Sequence, residues 1–499
     1  MKLHLLPIAT LVWLQSLVLP AAESLGEEWG TAEREAEYYR IVEIPIPDPL
    51  FVEAGCFATM PDGRIAVGTR RGDIYLVEGL TARHPLPKFH RFASGFDELL
   101  GLAQKDGELY ATQATELTRV VDTDGDDRAD LYETINDSWG FANYHEFALG
   151  SKFDKEGNIW IALGLSKSYH SWALFRGWAL KITPSGEAIP VASGLRSPLG
   201  VGDNGHGAMI YAESQGPWNG ACSLKHLKEG GFMGHPISYN WYEYAPNMGP
   251  TPVEPNSPSR LEIERKRVKE LVPYAVVFPF RRMGRSISGF VLDETDGKFG
   301  PFGGQIFIGD HTLSLMMRAT MEEINGVWQG ACYPFREGFS TGILNCHFTP
   351  EGQLLSGGTN RGWPVRGAKE NILERLDWTG KMPFEVKEIN VLSDGFRLTF
   401  TKPVDKKTAT NPESYVLGSF THIYQSGYGS PEVDRTVPVV ESAEVSEDGL
   451  EVRLKVNGMV QGHVHEFEFG AVRSTDDDEP LHRHAYYTLN EIPAAESAE

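Results

Sequence analysis

A short figure recurs along this chain, a polar turn ending in glycine followed by an apolar strand, and it narrows the range of folds more than any other pattern in the sequence. It is clearest at Lys155-Glu156-Gly157-Asn158-Ile159-Trp160-Ile161 and returns around Gly63, Gly107, Gly304 and Gly352, and more loosely around Gly207. Turn residues between two apolar runs read as a hairpin. These glycines lie 44, 50, 50, 97 and 48 residues apart, so one interval is doubled. A period in the forties with one hairpin per copy predicts a β-propeller, each copy supplying one four-stranded blade. Six copies predict six blades.

The doubled interval holds residues 222–285, with a Pro-rich stretch at 245–258 and a charged helical piece at 260–271. Long ordered insertions are usually functional, so this one is expected to form a lid or rim over one mouth of the central channel. After residue 383 the texture changes to alternating strands with frequent turn signals, as at Phe396-Arg397-Leu398-Thr399-Phe400. That pattern, at that length, predicts a small immunoglobulin-like β-sandwich. The expected fold class is therefore all-β, a six-bladed β-propeller over residues 45–383 followed by a sandwich over 384–492 and a tail at 493–499. A charged, Ala/Glu-rich stretch within residues 23–44 reads as a helical lead-in.

Residues 1–22 carry one lysine, an apolar run from Leu5 to Leu19, and then Pro20-Ala21-Ala22. This predicts a secretory signal peptide, and hence an exported protein, periplasmic or secreted. No later stretch reaches the roughly 18 apolar residues of a membrane span. The formal net charge of -22 argues against nucleic acid or anionic lipid as partners, because both are polyanions. The four cysteines, Cys56, Cys222, Cys332 and Cys346, allow three pairings or four buried thiols, and the sequence does not choose.

Several motifs point to chemistry. Asp122, Asp124, Asp126, Arg128, Asp130 and Glu133 stand at positions one, three, five, seven, nine and twelve of a calcium-type loop, Arg128 through its backbone carbonyl. Asp127 replaces the usual glycine at position six, and Asp tolerates a left-handed backbone better than most residues. His145-Glu146 precedes the clearest hairpin and is a candidate catalytic dyad, since histidine can take up a proton near neutral pH. Glu213, Asp310 and His311 follow apolar strands where a propeller points residues at its channel, which makes them pocket candidates. His463, His465, His482 and His484 are possible metal ligands without an evident complete set.

Beyond the repeat, several segments carry a resemblance: Tyr144-His145-Glu146-Phe147, Gly194-Leu195-Arg196-Ser197-Pro198, Gln215-Gly216-Pro217-Trp218, Gly231-Phe232-Met233-Gly234-His235-Pro236 and Gly357-Gly358-Thr359-Asn360-Arg361-Gly362-Trp363. The chain resembles the soluble quinoprotein glucose/sorbosone dehydrogenase superfamily, in its divergent planctomycete-type exported branch, over roughly residues 45–380. The resemblance implies oxidation of a sugar alcohol or aldehyde with pyrroloquinoline quinone and calcium as cofactors. It further implies a carbohydrate substrate and a separate cytochrome or other electron acceptor. By motif position His145 would be the general base, Arg196 and His311 would contact the cofactor, and the Gly216 and Pro217 carbonyls would bind calcium. The sequence departs from the family pattern at Cys222, which stands where an acidic calcium ligand is implied, and at Gly342 and Leu344, which stand near two implied arginines. A sugar-acting hydrolase, lactonase or lyase on the same scaffold, and a non-catalytic carbohydrate- or protein-binding propeller, are the alternatives.

Overall fold

The structure, a computed structural model, describes residues 25–165 and 171–495. The leader expected at residues 1–22 lies outside the described residues, as does the end of the tail. The described chain is nearly all β, built from four-strand antiparallel meanders. The first consists of Ala54–Thr59, Ile65–Thr69, Asp73–Glu78 and Lys88–Ser94. The first strands of the meanders that follow are Gly101–Lys105, Ala148–Phe153, Pro198–Asp203, Ile287–Leu292 and Gly342–Phe348. Each first strand lies against the next, and the last returns to Ala54–Thr59, which closes a ring. This is a β-propeller.

The repeat signature has a direct structural cause. Gly63, Gly107, Gly157, Gly207, Gly304 and Gly352 each sit in the turn between a first and second strand, at φ of 87°, 88°, 84°, 86°, 80° and 86°. A side chain is disfavoured in that left-handed region, so glycine recurs. Second strands such as Ile159–Leu163 and Met209–Glu213 are buried along their whole length. Neighbouring meanders cover both of their faces, which is why these strands read as unbroken apolar runs. The core accordingly lies in layers between meanders: Val67 and Tyr75 of the first pack with Leu355 and Leu373 of the last.

The last meander contains only three strands in sequence, Gly342–Phe348, Leu354–Thr359 and Leu373–Trp378. Its outer strand is Tyr39–Ile44, paired antiparallel from Tyr39 opposite Trp378 to Ile44 opposite Leu373. Residues 39–44 therefore belong to the propeller and not to the lead-in, whose only helix among the described residues is Ala32–Glu35.

The insertion also differs from expectation. Cys222–His226 and Tyr274–Phe278 are the third and fourth strands of one meander, so the inserted segment is residues 227–273. It leaves from the turn between third and fourth strands. In an antiparallel meander that turn lies at the end opposite the start of the first strand. Gly231–Phe232 then extends the neighbouring meander in parallel with Ala188–Ser193. The 3₁₀ segment Pro236–Tyr244 packs on the outer edge, where Trp178 Nε1 donates to the Ser238 carbonyl at 3.0 Å. The insertion buttresses an edge, and none of its residues lines the pocket described below.

Beyond residue 384 two sheets face one another. One is Val386–Leu392, Gly395–Phe400, Glu451–Asn457 and Val439–Val445. The other contains Val416–Tyr424, His463–Glu468 and His484–Leu489, and it continues into the propeller because Ala331 of Val327–Arg336 pairs with Tyr487. Ala331 and Tyr333 share one apolar core with Phe396, Leu398, Leu454 and Phe467. The four cysteines are separate buried thiols. No helix of the described residues is long and apolar enough to cross a membrane.

Candidate active site

First strands start, and second strands end, at the same end of the ring. A cavity of about 420 Å³ opens there on the ring axis. Gly55, Leu149, Pro198, Ser288 and Asn345 line it from first strands, and Arg70, Leu165, Ser214, His311, Arg361 and Trp363 line it from residues just beyond second strands. His145, Arg196, Arg285 and Tyr428 complete the cationic and aromatic part of the wall. Among the described residues, no aspartate or glutamate lines the cavity.

His145 is half-buried and faces the cavity beside Trp363 and Tyr144, at ring-centroid distances of 5.2 Å and 4.1 Å. Its backbone N–H donates to Asn143 Oδ1 at 2.9 Å. Glu146 is not its partner in a dyad facing the cavity. The Glu146 carboxylate, 1% exposed, accepts the Ala142 N–H at 2.5 Å and the Ser171 hydroxyl at 2.5 Å. It therefore fixes the loop that presents His145.

Glu213 and Asp310, expected to face the channel, perform the same task and do not line the cavity. Glu213 Oε1 accepts the N–H groups of Arg196 and Ser197 at 3.0 and 2.6 Å. Asp310 Oδ2 accepts those of Arg285 and Ser286 at 2.7 and 2.8 Å. A buried carboxylate that receives two backbone donors satisfies groups that would otherwise be orphaned, and it rigidifies the loop. Sequence cannot distinguish such a residue from a pocket carboxylate, because both follow an inner strand.

His311 does line the cavity. Burial, reinforced by the Arg70 charge, brings its imidazole down to about 4, so it is neutral at pH 7. Arg196 is also in the wall, 5% exposed, with Nη1 donating to the Ser214 and Gln215 carbonyls at 3.0 and 2.6 Å. Its guanidinium carbon lies 5.2 Å from the centre of the Tyr428 ring.

Tyr428 carries no signal in the sequence. It comes from the loop that follows the Val416–Tyr424 strand, beyond the propeller, and this loop docks on residues 216–220. The Gly429 N–H donates to the Gly216 carbonyl at 3.0 Å, the Trp218 N–H donates to the Gln425 carbonyl at 2.7 Å, and Pro217 bridges to Tyr428. The sequence leads one to expect a covering element in the insertion, yet the chain's C-terminal part supplies it. Arg70 and Arg285 are likewise wall residues that sequence reasoning misses or leaves unplaced; both sit at loop positions with no repeating pattern.

These contacts bear on calcium and the quinone. The Gly216 carbonyl already accepts two N–H groups, from Gly429 at 3.0 Å and from Asn219 at 3.1 Å, which uses both lone pairs. Cys222 is fully buried and its thiol is pushed up to about 12 by that burial, so it offers no thiolate. A hard cation wants several oxygen ligands, preferably charged. This donor set does not fit calcium at Gly216 and Pro217, nor a quinone bridged through that ion.

The acidic loop is elsewhere, in the turn between third and fourth strands at the end away from the cavity. Carboxylate oxygens of Asp122, Asp124 and Asp126 lie within 4.8 Å of one another, and Asp127 takes φ 66° as its place in the loop requires. Asp130 instead accepts the Thr123 hydroxyl at 2.6 Å, and Glu133 pairs with Arg119 at 2.8 Å, so neither joins the group.

No family model matches the chain, and no curated protein does. Among solved structures, a glucose dehydrogenase-type oxidoreductase from Thermus thermophilus is 17% identical, with TM-score 0.48, covering 68% of this chain and 99% of its own. The PQQ-bound aldose sugar dehydrogenase of Streptomyces coelicolor is 15% identical, with TM-score 0.44, covering 68% and 98%. The PQQ domain of pyranose dehydrogenase from Coprinopsis cinerea is 10% identical, with TM-score 0.46, covering 68% and 95%. All three likenesses are at low sequence identity and at TM-scores below 0.5.

Proposed function

We propose that this is an exported, carbohydrate-acting enzyme, a six-bladed propeller with an immunoglobulin-like sandwich. In this reading His145 is the general base in the cavity on the ring axis. The observation that carries the reading is the setting of His145: it is held at the cavity wall by a loop that Glu146 and Asn143 fix, beside the Trp363 ring, which also lines the cavity and is suited to the face of a sugar. Placing a base within reach of a bound substrate contributes typically 10²–10⁴-fold.

The reaction class this site supports best is redox-neutral, of the lyase or lactonase type. Sugar oxidation is the activity the family resemblance implies, but its calcium-bridged quinone has no fitting donor set here. His145 would take a proton from the sugar, and the neighbouring arginines would stabilise the negative charge that develops.

The test is turnover of a panel of sugars, sugar lactones and acidic oligosaccharides by the mature chain, with product release and dye reduction read in parallel, with and without chelator. Product without dye reduction, unaffected by chelator and reduced about 10²-fold or more in His145→Ala, is the expected result. Dye reduction that requires added quinone and calcium would replace this reading with the oxidising one.

A further inference from the structure

The chain carries a net charge of -22, yet its central cavity is lined by Arg70, Arg196, Arg285 and Arg361 and by no carboxylate among the described residues. The balance around these groups can be followed. Glu53 and Glu98 lie behind the wall and are shared by three arginines: Arg70 reaches Glu98 at 2.8 Å, Arg71 reaches Glu53 at 2.9 Å, and Arg361 reaches both at 3.2 and 3.1 Å. Three cations against two carboxylates leave one positive charge over.

Arg196 adds another. Among the described residues its Nη1 meets only the carbonyls of Ser214 and Gln215, and its buried Nε has no hydrogen-bond partner. Glu213, whose charge acts on Arg196, is shared with the buried Lys225 at 3.6 Å, so a guanidinium 5% exposed and with a donor unspent is left short of counter-charge, which a ligand would supply. The packing is specific to that arrangement. A Cβ added at Gly216 would lie 2.0 Å from the Arg196 guanidinium carbon, so glycine is needed for the side chain to lie flat across the loop.

We infer that the cavity is built for an anionic sugar, one bearing a carboxylate, whose charged group is taken by Arg196 and Arg361 while a ring face rests on Tyr428 or Trp363. This rests on the carbohydrate-acting reading above and names its substrate class. Arg–carboxylate pairs supply both charge and geometry. A carboxylate held in this way also acidifies the C–H bond beside it, the bond a base at His145 would attack. The proton passes to His145, the electron pair forms a C=C bond, and the C–O bond on the next carbon breaks, with its oxygen leaving to be protonated from solvent.

The test is calorimetric titration of the full mature chain with glucuronate and with glucose at matched ionic strength, followed by competition with pyrroloquinoline quinone. Glucuronate should bind about ten-fold more tightly, as one charge-assisted interaction predicts. That preference should collapse in Arg361→Gln, which should fold normally because the side chain is 45% exposed and Glu98 and Glu53 keep Arg70 and Arg71 as partners. Arg196→Lys serves as a second variant that keeps the charge and loses the fork. Equal affinity for the two sugars, or a preference unchanged in both variants, would overturn the inference. So would a quinone that binds more tightly and excludes glucuronate, since the arginines would then serve the quinone's carboxylates. Turnover is not read in this titration. Lost selectivity with His145-dependent turnover intact removes only the anionic-sugar inference, and selective binding without turnover removes only the enzymatic reading.

Discussion

His482 shows how a single residue can carry a pH dependence for the whole protein. It is buried between two carboxylates, with Nδ1 2.6 Å from Glu385 and Nε2 2.9 Å from Glu35. Burial pulls its imidazole down, but the charges and hydrogen bonds of Glu385 and Glu35 outweigh that and lift it to about 9. Because the folded value lies above the ordinary 6.5, its contribution to stability is complete below pH 6.5 and is lost as pH rises through about 9. Burial pushes Glu35 up, yet the hydrogen bond and charge of His482 outweigh it and hold the carboxyl below its usual value. Its contribution is therefore present above 4.5 and is lost as pH falls. Thermal unfolding should show a melting temperature that declines from pH 6.5 towards about pH 10. In His482→Gln that alkaline slope should flatten, at a cost of roughly 3–5 kcal/mol for leaving buried charges unpaired. An unaltered slope in the variant would show that this cluster is not the titrating element. The same histidine reads as a candidate metal ligand in the sequence, and its two carboxylate partners account for it without a metal.

Among the elements, the loop of residues 425–431 is the one whose loss should be felt at the site and not in the fold. Tyr428 is 59% exposed, so Tyr428→Ala removes little buried surface. It does remove the ring that stands over Arg196. We expect Tyr428→Ala to unfold within about 0.5 kcal/mol of the parent, as surface changes usually do. Sugar binding should weaken by roughly 0.5–1.5 kcal/mol, an aromatic contact's usual worth. Paired denaturation and titration measurements check this, and a large loss of stability with unchanged binding would assign the residue to the fold. The insertion makes the reverse case. Asn247 Nδ2 donates to the Pro190 carbonyl at 2.7 Å and Tyr242 contacts Ser193 at 2.7 Å, so its substitutions should change stability and leave ligand binding alone.

The molecule as a whole is closed twice, by Tyr39–Ile44 at the ring seam and by the continuous sheet that joins Val327–Arg336 to His484–Leu489. The buried Arg318 guanidinium, donating to the Val386 and Lys387 carbonyls at 2.5 and 2.9 Å, crosses the same junction. Calorimetry should therefore give one cooperative transition and not two, because the apolar cores at the junction contain residues of both parts. Truncation after residue 380 would expose Ala331 and Tyr333, which are buried in the shared core, and should yield an aggregating product. Two resolved transitions, or a soluble and folded truncated propeller, would contradict this.

What could be read in the sequence follows from where local rules act. Turn glycines mark the end of each meander away from the cavity, because a left-handed turn demands glycine wherever it occurs. The repeat and the all-β character were therefore legible from local pattern, as was the alternation of the sandwich strands, seen in Glu451–Asn457 with Val452, Leu454 and Val456 turned inward. At the cavity end no local rule operates. His145 and His311 were singled out by their places beside apolar strands, and Arg196 only through motif resemblance. Glu146, Glu213 and Asp310 have the residue types of an active site but serve as staples for backbone N–H groups. Arg70, Arg285 and Tyr428 belong to the wall because ring closure and the docking of the C-terminal loop bring together residues hundreds of positions apart. Turn and strand identity depends on neighbours a few residues away, so the linear order of residues already specifies it. The charge of the cavity, the closing of the Gly216 loop and the sharing of a core between the two parts depend on which distant surfaces meet, and those meetings exist only once the ring has closed.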